Sequence, residues 1–113
     1  MNVTTVSNDY MQHRLSKAKT YTLVLISEGP DWDSPEHDSL IWEHGRRNMG
    51  LEIDGVLSIV CPVFDDSALC GLYLFDGTVE EVSKIMAEDP GVTAGIFSYE
   101  VHPVVGFPGS RLP

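Results

Sequence analysis

"VLSIVCPVFDDSALCGLYLFD", Val56 to Asp76, holds two apolar runs parted by only four residues, Asp65 to Ala68. Each run is short and rich in apolar side chains, and "DDSA" supplies turn chemistry, so the stretch reads as two strands of a β-hairpin. Pro62 places the first strand at a sheet edge or a bulge, because proline cannot donate to a hydrogen-bond ladder. A turn centred between Asp65 and Asp66 would set Cys61 directly opposite Cys70, near enough to bridge. These are the chain's two cysteines; with no CxxC spacing, reduced thiols are the default reading for a cytosolic protein.

Helical patterns flank this hairpin on both sides. Upstream, Ser34 as N-cap, Pro35 at the first helical position and Glu36 in the first turn predict a helix start. Ile41, His44, Asn48 and Leu51 follow at steps of three, four and three, one stripe of that helix, which should stop near Asp54 and Gly55. Downstream, Thr78 and Glu81 form a T-x-x-E capping box that opens a second helix, and Pro90 must close it. Outside the helices lie "TYTLVLISE" from Thr20 to Glu28, a strand apolar on both faces, and "GIFSYEVHPV". The latter alternates, with Phe97, Tyr99 and Val101 on one face and Ser98, Glu100 and His102 on the other.

The order is β-α-β-β-α-β. Its simplest solution is an α+β, ferredoxin-like fold: a four-stranded antiparallel sheet with both helices on one face. Three of the strands are apolar on both faces, so the uncovered face is expected to pack against the sheet of a second copy, giving a homodimer or a higher homo-oligomer. Three segments follow: an N-terminal arm at 1–19, the α+β domain at 20–103 and an extended tail at 104–113. The arm carries a weak helical pattern at Tyr10, Met11 and Leu15 after Ser7 and Asn8. Gly106 and Pro108 keep the tail "VVGFPGSRLP" out of a helix or central strand, and an apolar arm of this kind is expected to lie across a neighbouring subunit.

A chain of 113 residues is enough for one core. Seven basic against seventeen acidic residues give a net charge of -10, which repels phosphate backbones and anionic membranes. No RNP-like segment accompanies it, so nucleic-acid binding is not expected. No apolar run approaches a membrane span or a signal-peptide core, and a cytoplasmic protein is the expectation. Phosphate loop, GxSxG elbow and paired CxxC motifs are absent from the sequence. His37 and His44 stand two helical turns apart, roughly 10 Å by helix rise, too far to share an ion. No metal and no cofactor are expected.

The informative anomaly is "AEDPGVTAG", Ala87 to Gly95. A helix C-terminus prefers cations, so Glu88 and Asp89 there are misplaced by roughly 0.3–1 kcal/mol each. Asp89 continues the stripe of Val79, Val82 and Met86 and is aimed toward the sheet, whereas Glu88 falls one residue off it as a surface charge. His44 is on the inward stripe of the first helix. A meeting of the two would orient the imidazole for acid–base work, or would simply close the helix end with a buried hydrogen bond. Gly45, inside the helix, points to a close approach of backbone or ligand. Arg47, three residues on, could hold an anionic substrate group or make a surface ion pair. His102 is a reserve candidate on the face assigned to the dimer.

"AEDPGVTAGIFSYEVHP" resembles the C-terminal signature of the YCII-related (YciI-like) proteins: an acidic Asp-Pro, a small-residue turn, "AG" and a final "YEV" strand. The resemblance reaches back to His44, eleven residues before Gly55, and to "CP" at Cys61 and Pro62 in place of the usual "GP". It covers roughly residues 20–103 and implies a dimeric α+β barrel with His44 and Asp89 as its active-site pair. Two readings of function follow. One is an enzyme using this pair for elimination, isomerisation or hydrolysis of an aromatic or cyclic metabolite, with Arg47 as a substrate-binding residue. The other is a non-catalytic, dimeric small-ligand-binding or assembly module.

Overall fold

A computed structural model describes residues 2–113. In chain order its elements are α1 (Asn8–Ser16), β1 (Lys19–Glu28), α2 (His37–Ile53), β2 (Leu57–Pro62), β3 (Leu69–Phe75), α3 (Val79–Ala87), α4 (Pro90–Thr93) and β4 (Phe97–Gly106). The four strands form one antiparallel sheet in the order β2-β3-β1-β4. That is the ferredoxin-like arrangement expected from the hairpin between two helices.

Alternation along the strands decides where the core sits. Thr22, Val24 and Ile26 of β1 pair in register with Phe75, Tyr73 and Gly71 of β3, and all six are buried. Val82 and Met86 from α3 close over this side, with Ile96 and Phe97 completing the cluster. Leu23, Leu25 and Leu74, on the opposite face, remain half-buried, and Leu72 is exposed. Glu100 and His102 stand on that same open face, opposite Leu25 and Leu23.

Local chemistry sets the helix ends. Thr78 Oγ1 accepts the Glu81 amide at 3.1 Å, capping α3, and donates to the Glu81 carboxylate at 3.0 Å, so the two residues of the expected box are bonded through their side chains. Gly55, at φ 77°, lets the chain leave α2 in the left-handed region, while the Val56 amide returns to the Leu51 carbonyl at 3.0 Å. Ser7 caps α1 through the Tyr10 amide at 3.1 Å, yet that helix buries no residue. Its ties to the tail are Arg14, which reaches the Ser110 hydroxyl at 3.4 Å and stacks over the Phe107 ring.

Four local expectations are corrected. α2 begins at His37, because Ser34 folds a turn with Glu36, accepting its amide at 3.2 Å and donating to its carboxylate at 2.8 Å. Cys61 lies opposite Leu72, whereas Cys70 faces Val63 through a 2.9 Å backbone bond. Asp65 accepts both the amide and the hydroxyl of Ser67, which moves the turn one residue along, and both thiols are free. Residues 90–93, read as a turn, form the short helix α4. β4 continues beyond Pro103 through Val104 and Val105 to Gly106, pairing with Lys19 to Thr22. Its edge position tolerates a proline that has no amide to donate.

Phe75 is the largest of the fully buried side chains. Replacing it with alanine should lower stability by about 3–5 kcal/mol, read from urea unfolding midpoints. The same change at Phe64, 96 % exposed, should move the midpoint of the isolated chain very little.

Candidate active site

The site is assembled where α2, α4, β3 and β4 meet, and Asp89 is its anchor. Pro90 forbids a helical conformation to its predecessor, so Asp89 adopts φ -64°, ψ 132° and leaves the axis of α3. Its carboxylate Oδ2 then accepts the amides of Gly91 at 2.9 Å and Val92 at 3.1 Å, capping α4. The carboxylate that looked misplaced at a C-terminus belongs to the N-terminus of the next helix. Glu88 stays outside as an exposed charge.

Oδ1 of Asp89 is 2.8 Å from His44 Nδ1. The imidazole and the carboxylate are both buried. Burial pushes the Asp89 carboxyl up, but the hydrogen bond and charge of His44, the Val92 amide and the Arg47 charge outweigh it. The net effect holds the carboxyl below the usual carboxylate range. An ionised Asp89 takes a proton donor at Nδ1, so an imidazole that holds a single ring proton carries its lone pair at Nε2.

Two groups meet that lone pair. The Tyr73 hydroxyl is 2.6 Å from Nε2, and the amide nitrogen of Asn48, one helical turn beyond His44, is 3.2 Å away. Burial first, then the charges of Asp89 and Cys70, push the Tyr73 hydroxyl up to about 12, against a lowering hydrogen bond from Asn48. Tyr73 therefore keeps its proton and donates it to Nε2. The result is a directed chain in which Tyr73 O–H donates to His44 and His44 N–H donates to Asp89. The Phe97 ring packs 4.6 Å from the imidazole, and Gly91 makes room for it: a Cβ there would stand 2.7 Å from the Phe97 ring and 3.1 Å from Asp89 Oδ2.

His44 and Tyr73 line a cavity of about 520 Å³. Trp32, Ile41, Met49 and Phe97 contribute much of its apolar wall. The volume falls within the range of small-molecule sites. Gly45 lies on this wall, and a Cβ built on it meets nothing within 4 Å, so open cavity rather than a helix contact adjoins it.

The other sequence candidates are placed elsewhere. Arg47 donates to the Ile85 carbonyl at 2.7 Å and stands 3.7 Å from Asp89, tying α2 to α3 behind the pair instead of facing the cavity. His102 is exposed on the open sheet face and contacts Glu100 at 3.0 Å. His37 packs edge-on against Trp32 and contacts Asp38 at 2.9 Å. Among the described residues no group of three or more His, Cys, Asp or Glu could hold a metal ion. Tyr73 was missed, although a signal existed: β3 alternation puts it on the core side, where a buried phenol needs a hydrogen-bond partner.

Asp89→Ala strands two amides and the His44 N–H, and should cost about 2–4 kcal/mol at pH 7 in urea unfolding. Because the folded-state carboxyl is held low, the wild-type advantage should be complete above pH ~4 and shrink as pH falls through the folded-state value. At the other end, the raised Tyr73 hydroxyl makes the folded state lose stability as pH climbs from ~10 toward about 12, and Tyr73→Phe should remove that loss.

No family model matches the chain, and no curated protein matches it. Among solved structures it is similar to 5-chloro-2-hydroxyhydroquinone dehydrochlorinase from Burkholderia phenoliruptrix, described in complex with 2,5-dihydroxybenzoquinone. The TM-score is 0.53 at 15% sequence identity, covering 73% of this chain and 90% of that one. The likeness is one of fold: the chain is an α+β protein with a four-stranded antiparallel sheet in the ferredoxin-like order.

Proposed function

We propose that this protein is a small-molecule enzyme that performs general acid–base chemistry without a cofactor, using His44 as the proton-exchanging group and Asp89 as its orienter. The substrate class is an aromatic or cyclic metabolite, and the reaction an elimination, isomerisation or hydrolysis. One observation carries this reading: the hydrogen-bonded line from Asp89 through His44 ends at Tyr73 on the wall of an apolar cavity of ligand size. The fold neighbour's printed description, a dehydrochlorinase of a hydroxylated ring, supports it at the level of chemistry on a shared fold.

The geometry suggests how a proton would travel. A substrate proton passes to the Tyr73 oxygen as the Tyr73 proton passes to His44 Nε2. Three changes are then coupled: the substrate bond to hydrogen breaks, one O–H is exchanged, and one N–H forms. The imidazolium that results lies against the Asp89 carboxylate, which stabilises it. The YCII-related resemblance of roughly residues 20–103 implies the same pair, and the half-buried apolar face of the sheet fits a second copy, so the working form is proposed to be a homodimer or higher oligomer.

A second reading has one observation in its favour. Both ring nitrogens of His44 are already hydrogen-bonded, as they would be in a purely structural network that supports a non-catalytic binding or assembly module. The two readings part on His44→Asn, tested against a panel of hydroxylated aromatics and cyclic esters for turnover and for binding. An enzyme should lose about 10²–10⁴-fold in turnover with ligand affinity nearly unchanged. Absence of turnover in the native protein, with affinity indifferent to the substitution, would favour the binding module.

A further inference from the structure

Charge is distributed around the cavity in a way that the His44–Asp89 pair does not explain. Among the described residues that line it, Glu28 and Asp65 are charged and no lysine or arginine is present. The nearby cations are engaged elsewhere. Arg47 is held behind Asp89 by the Ile85 carbonyl, and Arg46, on the outer side of α2, pairs with Glu43 at 3.3 Å. Glu28 acts on the cavity wall itself: burial first, and then the Glu28 charge, raise the Cys70 thiol. Beneath the wall the buried Asp89 carboxylate is already taken up by His44 and Arg47, so neither cationic group is free to meet a ligand anion.

We infer that the cavity selects an uncharged ring substrate bearing an acidic proton and rejects its carboxylate or phosphate analogues. This deepens the proposed function and rests on it for the meaning of "substrate". An anion entering the cavity would meet Glu28 and Asp65, exposed at its rim, with no lysine or arginine on the lining to compensate and a largely apolar wall behind them. A neutral acid that gives its proton to the Tyr73–His44 line generates its negative charge only as the imidazolium appears, so the two charges form together as a pair. The protein's charge of -10 acts in the same direction at long range.

The test uses two near-isosteric probes, 4-hydroxybenzyl alcohol and 4-hydroxybenzoate, neutral and anionic at pH 7. Binding to the full chain is followed by NMR shifts of the Trp32 indole and the Tyr73 and His44 rings at low salt. The alcohol should bind at least about tenfold more tightly. An apolar cavity alone also disfavours a carboxylate, so a Glu28→Gln, Asp65→Asn double variant isolates the fixed charges and should bring the two affinities within about threefold; Asn can keep the Asp65 turn. The inference is overturned by equal or tighter binding of the benzoate, by an unchanged ratio in the double variant, or by neither probe moving these resonances. The affinity ratio requires no turnover, so it fails or holds separately from the catalytic reading, which is judged by turnover in His44→Asn.

Discussion

The two oxygens of the Asp89 carboxylate are divided between backbone and side chain, and much of the structure depends on that division. Oδ2 takes the first amides of α4, and Oδ1 takes the imidazole N–H of α2. A buried carboxylate without such partners would cost several kcal/mol or lose its charge. With them it joins α2, α3 and α4 at one point, and Arg47 adds a second tie through the Ile85 carbonyl. Capping and imidazole orientation are therefore a single arrangement. A change at one of these contacts disturbs the other.

The sheet supplies the remaining geometry. Alternation on β3 turns Tyr73 and Phe75 to the same side, so one phenol oxygen reaches the inward stripe of α2 while Phe75 fills the core beneath. The stripe itself is unusual because His44 and Asn48 occupy positions where apolar residues would pack better. Polar residues in a core are retained only when every one has a partner, and here each does: Asp89, His44, Tyr73 and Asn48 form one connected set. Local rules of core packing are broken at this set and at the adjacent Gly45, the pattern seen where function competes with stability.

Much of this was legible in the chain. The hairpin from Val56 to Asp76, set between two capped helical patterns, leads to the ferredoxin-like order because few topologies join such elements without crossing. The Thr78–Glu81 box and Gly55 mark helix ends through chemistry confined to a few residues. Other features depended on competition the local pattern does not display. Ser34 and Glu36 have the composition of a helix start, yet they close a turn on each other, Ser34 being tied by its amide to the carbonyl of Asp31, which is itself bonded to Gly95. A strand that passes through Pro103 is permitted only because β4 is an edge, which is a property of the sheet and not of the segment.

The sequence by itself determined the periodicities: which residues of each element share a face, hence that His44, Asn48 and Asp89 point inward and that Glu88 does not. Those follow from the repeat of the backbone, 3.6 residues in a helix and two in a strand. Only the tertiary structure decided which inward residues meet. Tyr73 lies 29 residues from His44 and Asp89 45 residues from it, separations at which sequence spacing carries no distance information. The packing of α2 on β3 and on the α3–α4 junction brings Asp89 to one imidazole nitrogen and Tyr73 and Asn48 to the other, and turns Arg47 away from the cavity. Register is settled by packing over the whole sheet, so no single segment could have announced it.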